Sequence, residues 1–200
     1  MSAHAIQDLE KQIYDLTLEL NKLRQSNPRQ AVKNYTFDTV DGQVTLLDLF
    51  AGKDQLLAVH NMGQGCRYCT LWGDGFNPFL PHLESAMSVV MLSKDDPQLQ
   101  RRFANSRGWR FRMASHGGRA YIKEQTVSAG SENYPGAVCY EREGNDIYRK
   151  NSCVFGPGDL YCSMWGLLAL AGLDESSWTP QYNYWLAPKK LDDGGDNILE

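Results

Sequence analysis

Two cysteines separated by two residues, Cys66-Arg67-Tyr68-Cys69, are the part of this chain best suited to chemistry. That spacer lets both sulfurs meet within one helical turn, so a disulfide can form and reopen. A thiol at the first turn of a helix lies among unpaired amides and at the positive end of the helix dipole, which favours the thiolate. Arg67 adds positive charge beside it. In exchange, Cys66 would act as the nucleophile on a substrate disulfide, and Cys69 would resolve the mixed disulfide. The substrate would be a protein or small-molecule thiol or disulfide, and the chemistry calls for no cofactor. Gly63 and Gly65 let the preceding backbone turn tightly and let a partner approach.

Two other readings of the pair stay open at this level. A zinc site would need a second Cys-x-x-Cys or a histidine pair; Cys139, Cys153, Cys162 and His116 lack ligand-like spacing, so no metal is expected. The thiols could also be incidental packing residues. Neighbouring residues carry paired readings too. Tyr68, Trp72 and Phe76 either pack or line a substrate groove. Asp74 either caps its loop or accepts a proton near Cys69. His60 is either a hydrogen-bonded packing residue or a base, and Cys153 and Cys162 either pack or resolve.

The elements that must position these groups follow from periodicity. Ile6, Leu9, Ile13, Leu16, Leu20 and Leu23 alternate steps of three and four, a heptad seam on a helix that stops near Pro28. The seam either packs on its own domain or joins two subunits, giving a homodimer through residues 5–24. Asp41-Gly42 between two β-rich stretches predicts a hairpin, followed by a helical turn over residues 47–50. Residues 55–60 read as a buried central strand. A helix is expected over 70–87, broken near Asn77-Pro78 and Pro81. A second core strand spans 88–92. Ser93 and Asp95 offer caps for a helix over 97–106, and residues 109–113 read as a third strand. Residues 114–134 look irregular and mobile. Pro135-Gly136 introduces a late hairpin with strands at 137–140 and 147–150. Asp159 offers an N-cap for an apolar helix over 160–170.

Composition narrows the partners. A formal charge of −4 gives no sign of the basic face that nucleic-acid binding usually leaves, so no nucleic acid is expected. No apolar run reaches the ~20 residues of a membrane span. The polar N-terminus is unlike a secretory signal, so the chain reads as cytoplasmic, where an odd set of five cysteines is not a disulfide framework. The expected organisation is an N-terminal helix (1–28), one α/β domain (29–188) and a disordered tail (189–200).

The order helix, hairpin, strand, helix, strand, helix, strand, hairpin, helix fits a three-layer α/β/α domain with a central mixed sheet, the thioredoxin layout, plus an N-terminal helical extension. In such folds a cis-proline begins the strand that faces the dithiol, and Pro135 stands at that place in the order; the other reading is a trans turn proline. Several stretches together resemble the thioredoxin-like family catalogued as domain of unknown function 899. They are Tyr35-Thr36-Phe37, Asp41-Gly42, residues 46–50, Cys66-Arg67-Tyr68-Cys69-Thr70-Leu71-Trp72-Gly73-Asp74-Gly75-Phe76-Asn77, Arg107-Gly108-Trp109, Phe155-Gly156-Pro157-Gly158-Asp159 and residues 182–188. The resemblance implies a thioredoxin-like fold and a thiol–disulfide role. Asp41-Gly42 and Leu47-Asp48-Leu49 also resemble peroxiredoxins, but Asn61-Met62-Gly63-Gln64-Gly65 lacks the proline and threonine of their Pro-x-x-x-Thr-x-x-Cys pattern. The thioredoxin spacer Trp-Cys-Gly-Pro-Cys is absent as well. Three functions therefore follow: a thiol–disulfide oxidoreductase, a non-catalytic assembly module that dimerises through the N-terminal helix, and a peroxiredoxin-like peroxidase.

Overall fold

The computed structural model describes residues 3–174, 176 and 178–181. The tail and the 182–188 stretch lie outside the described residues. The chain opens with α1 (Ala3–Ser26) and a short strand β1 (Gln30–Val32). The Asp41-Gly42 turn joins β2 (Thr36–Thr39) to β3 (Gly42–Thr45), and Gly42 supplies the positive φ of 119°. A capping box between Thr45 and Asp48 starts α2 (Leu46–Leu49). The central unit follows: β4 (Gln55–His60), α3 (Arg67–Ala86), β5 (Ser88–Ser93), α4 (Pro97–Ser106) and β6 (Arg112–Ser115). The chain then passes through α5 (Ala120–Glu124) to the hairpin β7 (Gly136–Glu143) and β8 (Asp146–Val154), and on to α6 (Ser163–Leu170), the last element among the described residues.

The eight strands among the described residues share one sheet in the order β1-β8-β7-β4-β5-β6-β2-β3. β4, β5 and β6 are parallel, and every other pairing is antiparallel. The two parallel crossovers step in the same direction, so crossovers of one hand place α3 and α4 on the same face. Trp72 and Leu80 of α3, Phe103 and Ala104 of α4 and Trp165 of α6 accordingly share one buried cluster with Val59, Val89 and Met91. The opposite face holds Leu46 and Leu49 of α2 and Tyr121 and Ile122 of α5, over Leu56, Ala58, Val90 and Leu92. Alternate residues of β4 and β5 thus feed two cores, as expected for strands buried on both faces. This is a thioredoxin-like three-layer fold. No helix among the described residues is long and apolar enough to cross a membrane.

Several expectations need correction. α3 runs unbroken through Pro78 and Pro81. Both prolines are exposed, so the carbonyls they leave unbonded can reach water. The third strand begins at Arg112, because Trp109 and Phe111 turn their rings into the helical cluster instead of pairing. The stretch 114–134 contains α5, anchored by buried Tyr121 and Ile122. The cap of α4 is Asp96, whose Oδ1 accepts from the N–H of Gln98 (2.8 Å), and not Ser93 or Asp95. Asp159 organises its own loop, accepting from the N–H groups of Gly156, Tyr161 and Cys162, and α6 starts later, at Ser163. No peptide bond among the described residues is cis, so Pro135 is a trans proline.

Candidate active site

β4 ends at His60 in the middle of the sheet, and the next residues must turn sharply to begin α3. The turn is tied down from three directions. Asn61 donates its N–H to the Leu92 carbonyl (2.8 Å), and its Oδ1 accepts from Gly63 (2.8 Å). The Asp95 carboxylate, from the loop after β5, accepts from the Gln64 N–H (2.8 Å). Asn133, just before β7, donates to the Met62 carbonyl (3.3 Å). Gly63 has a φ of 121°, and a Cβ there would lie 2.8 Å from the Asp95 carboxylate oxygens. Glycine is therefore needed for both conformation and space.

Cys66 is the N-cap of α3. Its Sγ accepts the Cys69 N–H at 3.1 Å, the arrangement a serine or aspartate cap would make. Cys66 is half-buried, whereas Cys69 is buried with only 4% exposed. The Cys69 thiol lies within hydrogen-bonding reach of Cys66, and this bond is the largest influence holding the Cys66 pKa below its ordinary value. The amides of Cys69 and Tyr68 and the charge of Arg67 lower it further, against the opposing effect of burial. Cys69 is pushed the other way, first by donating to Cys66, then by burial and by the Cys66 charge. The Met62 N–H, 3.5 Å from the Cys69 Sγ, opposes this weakly. The pair therefore divides into an ionisable outer sulfur and a protonated inner one. All five cysteines are free. Burial raises the other three thiols, Cys139 to about 11. Cys66 alone is lowered.

A cavity of about 580 Å³ opens beside Cys66, lined among others by Gln64, Arg67, Lys94, Asp95 and Asn133. That volume suits a small ligand or a peptide segment. Lys94 and Asn133 carry no reading in the sequence, and Asp95 reads there only as a helix cap. The loops after β4 and β5 meet at the carboxyl ends of adjacent parallel strands, where α/β sheets present their sites. That rule is the signal that points to Lys94 and Asp95; Asn133 carries none.

The remaining sequence candidates take other places. Tyr68 lies against Trp72 and Trp165, with ring centroids 6.3 and 6.4 Å away. Trp72 is buried and stacks on Phe155 (5.6 Å, 11°), within the helical core. Asp74 binds the Arg107 guanidinium through both oxygens and accepts from the Trp109 Nε1–H (2.8 Å). Its carboxylate thus fastens α3 to the turn after α4. Pro135 directly precedes β7, which pairs with β4 where Gly136 faces His60. His60 itself bonds through Nε2 to the Tyr121 hydroxyl (2.8 Å); burial holds its pKa down to about 3, so the ring is neutral. Cys153 bonds with Tyr161, and Cys162 lies in the helical core. His116 Nδ1 accepts from Gly118 (3.1 Å). Among the described residues there is no group of three or more His, Cys, Asp or Glu side chains able to hold a metal.

Residues 3–187 match the family described as bacterial protein of unknown function, DUF899. The chain belongs to that family. Comparison with curated proteins finds no match. Among solved structures, AhpC of Enterococcus faecalis is similar over 72% of this chain and 95% of its own, at 14% identity and a TM-score of 0.53. Peroxiredoxin Q of Xanthomonas campestris covers 69% of this chain and 89% of its own, at 18% identity and a TM-score of 0.52. At such identities the likeness is one of fold. In this DUF899 chain the two tryptophan-containing stretches fit each other. A Cβ on Gly73 would lie 2.5 Å from the Trp109 ring, Asp74 holds Arg107 and Trp109, and Asn77 bonds Gly108 and Arg110. The Trp72-Gly73-Asp74-Gly75-Phe76-Asn77 run is thus a receptor for Arg107-Gly108-Trp109, set apart from the thiols at the helix start.

Proposed function

We propose that this chain is a thiol–disulfide oxidoreductase, with Cys66 as nucleophile and Cys69 as resolving thiol, acting on a protein or small-molecule disulfide. The observation that carries the reading is the division of the pair: of five thiols only Cys66 is poised to ionise, and it borders a cavity.

The Cys66 thiolate attacks one sulfur of a substrate disulfide. The old S–S bond breaks, its second sulfur leaves as a thiolate and takes up a proton, and a mixed disulfide joins Cys66 to the substrate. Cys66 has then lost the negative charge that held the Cys69 proton in place, so Cys69 becomes easier to ionise. The Cys69 thiolate attacks the Cys66 sulfur and expels the second substrate thiolate. The substrate gains two electrons, and the chain retains a Cys66–Cys69 disulfide. Run backwards, the same steps oxidise a dithiol.

Two measurements test this. Alkylation of Cys66 followed against pH should give a pKa clearly below the unperturbed ~8.5. Cys69→Ser should accumulate mixed disulfides through Cys66 when offered a small disulfide. A Cys66 titrating near the unperturbed value, together with no trapped adduct, would refute the assignment.

A further inference from the structure

α1 leaves its apolar residues in water. Ile6, Leu9, Ile13, Leu16 and Leu23 are 58, 58, 57, 63 and 61% exposed, and Leu20 is only partly covered. Among the described residues, only the C-terminal end of the helix is fastened to the domain. Asn151 donates to the Arg24 carbonyl (3.2 Å), Lys150 to the Gln25 carbonyl (3.0 Å), and Asn27 to the Lys150 carbonyl (2.7 Å). These ties, with Arg24 over the Tyr161 ring, set where the helix leaves the sheet edge and cover only part of Leu20, leaving the rest of the stripe in water. An isolated helix draws little stability from propensity alone; most comes from burying an apolar face.

We propose that α1 pairs with α1 of a second copy of this chain, forming a parallel two-stranded coiled coil. The occupant follows from the stripe itself. Its alternating three- and four-residue steps repeat every seven residues, the period of about 3.5 per turn that supercoils with a helix of the same period. With Ile6, Ile13 and Leu20 at a and Leu9, Leu16 and Leu23 at d, the first two heptads carry the β-branched-a, leucine-d choice that favours parallel pairs. Arg24, at e, is turned towards its own domain against the Tyr161 ring, so the apolar a and d positions carry the pairing. The assembly needs no thiol and stands independently of the exchange chemistry.

Light scattering on the full chain should give the mass of two 22.6 kDa chains, falling towards one on dilution. Leu9→Glu with Leu16→Glu should raise the dissociation constant about 100-fold or more and leave a single chain. Leu18→Glu is the control. Leu18 sits on the same helix and is 42% exposed, but it lies at f, away from the seam, so this variant should remain a dimer. Ile6→Cys should form a disulfide between copies on mild oxidation, because a parallel pair brings the two a positions together. A single-chain mass for the unaltered protein, as when residues 182–200 or a different protein cover the stripe, overturns the proposal. So does dissociation by Leu18→Glu equal to that of the double variant. A dimer without the Ile6→Cys cross-link overturns the parallel arrangement.

Discussion

The first turn of α3 and the two turns after it belong to one helix but are built for opposite purposes. Between Cys66 and Cys69 the side chains border a cavity, and the sulfur that caps the helix is half-open to solvent. Between Trp72 and Asn77 every group except Gly75 is engaged: Trp72 on Phe155, Gly73 under Trp109, Asp74 on Arg107, Phe76 near Phe155, and Asn77 on the following turn. The comparison teaches where specificity of sequence comes from. A run that fits several partners at once tolerates few alternatives, so the most distinctive stretch of the chain describes the scaffold. The chemistry needs only a cap, a cation and a second sulfur.

That division can be broken or sharpened by substitution. The largest effect is expected for Cys66→Ser, which should lower exchange by more than about 1,000-fold, since the hydroxyl is a far poorer nucleophile. Serine also caps helices, so the thermal midpoint should stay nearly unchanged. A large fall in that midpoint would show that the first turn is structural after all. Trp72→Ala should do the reverse, costing about 3–5 kcal/mol in denaturant unfolding as a buried ring is lost, while the Cys66 alkylation pKa holds. A shifted pKa in that variant would mean that the two halves of the helix are coupled.

Acid should act on the scaffold and not on the thiol pair. Burial holds the His60 pKa down to about 3 and that of His116 to about 4, against about 6.5 for an unfolded histidine. The unfolded chain therefore binds protons that the fold refuses. Stability is full above about pH 6.5 and falls as pH drops towards 4 and then 3, by up to about 1.4 kcal/mol per pH unit for each ring. Denaturant midpoints measured from pH 7 to 4.5 should decline along that course; a flat profile would place both rings in water. The smallest effect is expected for Arg67→Met. Removing the positive charge raises the Cys66 pKa and shrinks the thiolate fraction, so alkylation at pH 7 should slow a few-fold. An unchanged rate would leave the capping amides and Cys69 as the whole source of activation.

Much of this arrangement is legible in the sequence, and the exceptions share a cause. The dithiol's place after a central strand, the Asp41-Gly42 hairpin and the alternation of core strands with helices depend on local residues, and they stand where pattern reading puts them. What local reading misses depends on distant partners. β1 has three residues and exists because β8 offers its edge. Asp95 and Asp96 are equivalent as caps until the fold brings Gly63 and Gln64 to one of them. Pro78 and Pro81 look like helix breakers until both prove to face solvent. Asp74, within a turn and a half of Cys69, reads as a loop cap or a proton acceptor and not as an anchor between elements, because nothing nearby in the chain announces Arg107.

The capping role of Cys66 has a thermodynamic consequence. A sulfur tied into a disulfide carries no charge and is a poor acceptor, so oxidation strips α3 of the group that satisfies the Cys69 amide. Whatever the helix gains from that group it gains only in the dithiol form, and the difference must appear in the redox equilibrium. Stabilising the reduced partner of a couple shifts its reduction potential upward. Under the proposed exchange role, the field that favours the Cys66 thiolate would therefore also favour reduction of a Cys66–Cys69 disulfide, biasing the couple towards giving disulfides away.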